Sequence, residues 1–218
     1  MKKINILILG SLGIIVHNVY ASVNDGIYIG INGGATNNIV TLNASTYSAV
    51  QTGGSQLYNA NVGYNIGLYA GYNFDANNGL ELGYNYFSPT SVSIPSSTTN
   101  LTTSATALSL SYKLYLPTFV DSWSVFGRLG VAYDSVSQGA SNSSCSCNCT
   151  NNLQQNAQGA SFADILGSGL KYKMSTNASL ELEWIANGLL FPVGLNQGTS
   201  NIASWYSQNF NIGFNYHF

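Results

Sequence analysis

Charge is the scarcest ingredient of this chain. Only 6% of its 218 residues are charged, against about 25% in an ordinary soluble domain. No stretch beyond residue 21 is apolar for anything near the ~18 residues that a membrane-spanning helix requires. Histidine is almost missing, and beyond residue 21 only His217 remains. Basic residues are few. Once the first residues are set aside, Lys113, Arg128, Lys171 and Lys173 face eight acidic side chains, so nucleic-acid binding has no electrostatic footing. Attraction to anionic surfaces lacks support for the same reason. What the chain does have is 23 glycines and 15 tyrosines, with Asn, Ser and Thr supplying most of the polarity. A chain this poor in charge suits a membrane, where only helices and closed barrels satisfy every backbone group. With helices excluded, the membrane reading leaves a β-barrel, and a secreted β-sandwich is the soluble alternative.

The first residues form an export signal. Met1-Lys2-Lys3 is a charged start, an apolar run extends from Ile4 to Val16, and Val19-Tyr20-Ala21 ends in the small-x-small manner of a cleavage site. The run is too short to span a bilayer, so residues 1–21 read as a cleaved signal peptide. Residues 22–218 are then a single barrel domain.

Period-two alternation over about ten residues, broken by turn residues, is the mark of a transmembrane strand. Eight such segments occur. In 26–34, Ile27, Ile29 and Ile31 oppose Tyr28, Gly30 and Asn32; in 62–74, Ile66, Leu68, Ala70, Tyr72 and Phe74 oppose Asn65, Gly67, Tyr69, Gly71 and Asn73. After Asp75-Ala76-Asn77-Asn78-Gly79, Leu80, Leu82, Tyr84 and Tyr86 oppose Glu81, Gly83 and Asn85. In 105–116, Leu108, Leu110, Tyr112, Leu114 and Leu116 oppose Ser109, Ser111 and Lys113; in 123–134, Val125, Leu129 and Val131 oppose Arg128 and Gly130. In 162–174, Leu166, Leu170 and Tyr172 oppose Gly167, Gly169, Lys171 and Lys173, and after Ser175–Ala178 the residues Leu180, Leu182 and Trp184 oppose Glu181 and Glu183. The last segment, 205–218, sets Phe210, Ile212, Phe214, Tyr216 and Phe218 against Asn209, Asn211, Gly213, Asn215 and His217.

Charge placement separates barrel from sandwich. Glu81, Lys113, Arg128, Lys171, Glu181 and Glu183 all fall on the face opposite the large apolar residues. A Lys or Arg turned to lipid near the midplane would cost about 2–4 kcal/mol, whereas inside a narrow eight-stranded barrel opposite charges can pair. A soluble sandwich would carry many charges on the other face. The expected fold is therefore all-β, an eight-stranded antiparallel up-and-down transmembrane barrel. Its connections alternate, short turns joining segments 2–3, 4–5 and 6–7 and long loops covering 36–61, 88–104, 135–161 and 186–204. Short turns on the periplasmic side and four long extracellular loops are the usual asymmetry. The Ser/Thr tract 88–106 reads as a flexible polar loop. Tyr72, Tyr86, Tyr112, Trp123, Tyr133, Trp184, Trp205 and Tyr216, near segment ends, are placed for aromatic girdles, with ordinary packing the alternative for each.

These residues resemble a known family. Gly26-Ile27-Tyr28-Ile29-Gly30-Ile31-Asn32-Gly33-Gly34 is similar to the first strand of the OmpA-like and opacity-type eight-stranded barrels. Gly67 through Phe74 with Gly79 through Tyr86 resembles their second hairpin, and Gly169 through Trp184 their last. The order of the hairpins together with terminal Phe218 carries the resemblance; each hairpin alone is loose. It implies a surface protein of the Gram-negative outer membrane, surrounded by lipid and lipopolysaccharide, often an antigen or adhesin. Phe214, Tyr216 and Phe218 look like the C-terminal signal read by the barrel-assembly machinery. On this reading no peptidoglycan-binding domain like that of full-length OmpA proteins is expected after the barrel, and a cell-wall anchoring role is not implied.

Few residues suggest chemistry. Cys145, Cys147 and Cys149 could hold a soft metal, but no His, Asp or Glu stands in their loop to complete a shell. In an oxidising compartment pairing of two of them is favoured, the third staying free or bridging another molecule. Catalysis by a lipid-modifying barrel needs a His near an exposed Ser, or acidic residues at the outer rim. His217 sits at the periplasmic end and reads as a hydrogen-bonded interior or rim residue; Asp134 and Asp164 could pair across the rim without specifying a reaction. The expectation is a protein with no catalytic residue, metal or cofactor. Its function is then a structural or surface-interaction role through the loops, with a narrow porin-like channel for small molecules as the alternative.

Overall fold

The computed structural model describes residues 26–43, 55–59, 62–93, 99–120, 122–142, 156–197 and 200–218. Residues 1–21, read above as a signal peptide, and Cys145, Cys147 and Cys149 lie outside them. Ten strands form: β1 (Gly26–Asn43), β2 (Ser55–Asn59), β3 (Gly63–Asn73), β4 (Asn78–Ser93), β5 (Thr99–Pro117), β6 (Trp123–Asn142), β7 (Asn156–Lys173), β8 (Ala178–Asn187), β9 (Val193–Gln197) and β10 (Ser200–His217). Neighbours run β1-β3-β4-β5-β6-β7-β8-β10, and pairing of β1 with β10 closes the circle. Every pairing is antiparallel, and the closing seam runs in unbroken register from Tyr28↔His217 to Leu42↔Ala203. This is a closed eight-stranded barrel; β2 and β9 are short additions at one end.

Exposure alternates along the strands because one face meets lipid and the other fills the lumen. On β3 the sides alternate strictly from Tyr64 to Tyr69, with Ile66 and Leu68 outward and Asn65 and Tyr69 inward. Residue size is matched between paired strands, as where Gly30 lies opposite Tyr69. A Cβ on Gly30 would stand 2.3 Å from the Tyr69 ring, so this strand position has to be glycine for the tyrosine to fold across it. Residues 74–77 close the β3–β4 turn, where Asp75 Oδ1 accepts from the Asn77 backbone (2.7 Å) and the Asn78 amide (2.9 Å). These bonds hold the Asp75 carboxyl below the usual carboxylate range.

The turns 74–77, 118–120 with 122, and 174–177 share one end of the barrel with Gly26 and Phe218, whose N–H donates to Ile27 O at 3.1 Å. This is the turn end. Outward aromatics mark it in pairs: Trp123 with Tyr172 (ring centroids 4.8 Å), Tyr72 with Phe74 (5.5 Å) and Tyr216 with Phe218 (5.2 Å). A second border is marked by Tyr133 against Phe162 (5.4 Å). Trp123 and Tyr133 are ten residues apart on β6. At about 3.4 Å per residue and a tilt of about 40°, that is about 26 Å, the height of a lipid-facing band.

Three expectations need correction. The stretches read as long loops are largely strand: β1 continues to Asn43, β4 to Ser93, β6 to Asn142, and β5 and β7 begin at Thr99 and Asn156. Within the tract read as a flexible loop, Ser88, Thr90 and Thr103 are buried in the lumen, and Thr90 pairs with Thr103 across the β4–β5 ladder. Beyond the lipid band neither face has to be apolar, so these strand ends lose the alternation that would reveal them. Finally, Trp205 is not a girdle residue. It is fully buried, edge-on to Phe87 at 5.7 Å, because it shares the inward face with Asn209 and Asn211.

Candidate functional site

The lumen is crossed by a set of charges in the half nearer the turns. Antiparallel register brings Glu81 of β4 opposite Ser111, next to Lys113 on β5, which itself lies opposite Arg128 on β6. On the other wall Lys171 of β7 lies opposite Glu181 of β8. Glu81, Lys113, Arg128, Lys171, Glu181 and Glu183 are all buried.

Lys113 Nζ stands 2.8 Å from both Glu81 Oε2 and Glu181 Oε2. Arg128 reaches Glu81 Oε1 with Nη2 (2.6 Å) and Glu183 Oε1 with Nε (2.5 Å). Tyr28 donates its hydroxyl to Glu81 Oε2 at 2.9 Å. The Lys113–Glu181 contact joins strands three places apart, so the network bridges the lumen and does not merely run along its wall. Lys113 lies over the rings of Tyr69 (5.4 Å) and Phe126 (5.0 Å); Lys171 lies over Tyr28 (5.7 Å) and Tyr115 (4.9 Å). Three carboxylates face three cations. That balance matters because isolated charges taken from water are very costly, whereas charges paired as Lys113 and Arg128 are can hold together.

Above the charges, Asn65, Asn85, Ser109, Asn187, Asn209 and Asn211 line an internal space closed by Phe87, Ile165 and Ile185. Polar enclosures of this kind suit ordered water. At the turn end His217 is buried, 3.2 Å from Ser179 Oγ through Nε2. Asp134 and Asp164 do not pair with each other, as the sequence allowed. Asp134 accepts both its bonds from the Asn187 amide (3.0 and 2.9 Å), while Asp164 turns to the backbone of residues 190 and 191. The two carboxylates thus serve separate neighbours on β8 and the segment after it. Phe214, Tyr216 and Phe218 point outward on β10, and Phe218 is exposed. Among the described residues, no group of three or more His, Cys, Asp or Glu could hold a metal ion.

A closed antiparallel barrel with an apolar outer band, aromatic borders and a polar lumen crossed by ion pairs defines a transmembrane β-barrel. Residues 22–218 match the OmpA-like transmembrane domain, and the chain belongs to that family. Among solved structures it is similar to Neisserial surface protein A (14% identity, 89% of this chain and 98% of that one, TM-score 0.55). It is also similar to Ail, the attachment invasion locus protein of Yersinia pestis (13%, 88% and 99%, TM-score 0.46). A third is the N-terminal barrel domain of Pseudomonas aeruginosa OprF (13%, 86% and 96%, TM-score 0.43). No curated protein matches the chain. Family membership supports the outer membrane as its location.

Proposed function

We propose that the protein is a closed, lipid-embedded anchor that displays the end opposite its termini on the cell surface, in a structural or adhesin-like role. The observation that carries this is the collar. On β6 the wall continues from Tyr133 at the lipid border to Asn142, which at the same rise and tilt is about 23 Å. β5 pairs with β6 as far as Thr99↔Asn142, and β7 as far as Gly139↔Asn156. A paired rim of this height carries the wall beyond the lipid border at the end opposite the termini, and binding residues concentrate where a scaffold supports loops. The ion pairs across the lumen supply the other half of the reading, since they obstruct passage through a barrel already narrow.

Refolded mature protein, its folding checked by heat-dependent gel mobility, would be tested for single-channel conductance in a planar bilayer. Silence is expected. Stable, reproducible openings would instead put the narrow-channel reading first.

A further inference from the structure

The wall of the barrel is interrupted between β8 and β9. β10 is partnered by β8 up to Ser207↔Asn187 and then by β9 from Trp205↔Val193. Residues 188–192 are therefore inserted opposite the single residue Tyr206. The chain leaves the wall at Gly188, whose φ of +73° suits glycine, and re-enters at Val193, buried in the lumen. Between these points Leu189, Leu190 and Phe191 are 44%, 64% and 67% exposed.

Three of the four backbone N–H groups of this projection are held by a single residue of β7. Gly188 N–H donates to Asp164 O at 2.9 Å. Leu190 and Phe191 N–H both donate to Asp164 Oδ1, at 2.9 and 2.8 Å. Pro192 has no N–H to satisfy. A loop in water needs no such arrangement, because water serves its amides; irregular backbone at hydrocarbon depth does, since an unsatisfied group there costs several kcal/mol. The level agrees. Asp164 is eight residues along β7 from the Tyr172 border and two short of Phe162 at the other. The apolar residues of the projection thus continue the lipid-facing band at its upper margin.

We propose that residues 188–192 are a lipid-inserting wedge, Asp164 fixing their backbone while Leu189, Leu190 and Phe191 lie among the acyl chains of the leaflet at the end opposite the termini. The partner is the hydrocarbon of the bilayer itself and not a protein groove.

The test places a reporter in the wedge. Phe191→Trp, in a Trp123→Phe, Trp184→Phe background, leaves the buried Trp205 as the constant internal emitter. The protein is refolded into phosphatidylcholine vesicles whose acyl chains carry bromine either near the headgroup or near the chain end. The added emission is expected to be blue-shifted and to lose most of its intensity with headgroup-proximal bromine, less with chain-end bromine, and little with aqueous iodide. Emission of a water-exposed indole, quenched by iodide and indifferent to brominated chains, would overturn the assignment. So would blue-shifted emission that ignores both quenchers and changes when protein is diluted in lipid, because a second copy would then cover the wedge. Replacing Asp164 by Ala in the same background is expected to shift the emission to the red, with Asp164→Asn, which keeps an acceptor, shifting it less.

Discussion

Glu81 meets Lys113, Arg128 and Tyr28 at once. Its replacement by Ala leaves two buried cations short of a partner, and removing one member of a buried pair costs about 3–5 kcal/mol. Urea unfolding of the refolded barrel in lipid vesicles should show a loss of that size. Lys171→Met should cost less in the same assay, since Lys171 rests over tyrosine rings and, among the described residues, makes no ion pair within bonding distance. A variant at Glu81 as stable as the parent would mean that the network is not held together by that carboxylate. At this scale the sequence is informative up to a point. Alternation assigns each charge a face, because lipid tolerates none of them on the other. It cannot say that Lys113 meets Glu181, which is 68 positions away, because partners across a lumen depend on tilt and register of strands that do not touch.

The strands show where such reading stops. Segments 62–74 and 123–134 were recognisable because every second residue there must face hydrocarbon. Ser135 through Asn142 and Thr99 through Ser104 carry Ser, Thr, Asn, Gln or Gly at most positions of both faces, and the collar they build has water outside as well as polar groups inside. A period exists only where the two sides differ. The break between β8 and β9 was hidden for another reason: Leu189, Leu190 and Phe191 read as part of a loop, and nothing local reveals that Asp164, from another strand, holds their backbone. Its hinge gives a clean test. Gly188→Ala, with φ at +73°, should lose about 1–2 kcal/mol through the left-handed backbone penalty. Gly127→Ala should stay within about 0.5 kcal/mol, as a surface change of that kind usually does, because a Cβ there meets nothing within 4 Å. Equilibrium unfolding of both variants decides it, and equal stability would show that the exit from the wall is not pinned at Gly188.

For the molecule as a whole, the two chain ends matter most. Phe218 is 72% exposed and touches Tyr216 edge-on, so it contributes little to the packed wall. We expect deletion of Phe218 to leave the unfolding midpoint of refolded protein nearly unchanged while sharply lowering the amount of barrel assembled in cells. Comparable losses in both assays would make it a structural residue and not a signal. The seam carries a consequence in time. Since Tyr28 is matched with His217, the first strand has to wait for almost the last residue to arrive before its second edge is covered. Throughout that interval the precursor carries unpaired strand edges, the features that recruit other chains. Loop-closure entropy makes this the slowest kind of contact to form. A copy cut short anywhere before β10 would never finish: it would remain a sheet with a free margin, a seed for aggregation where the full chain has no edge left open.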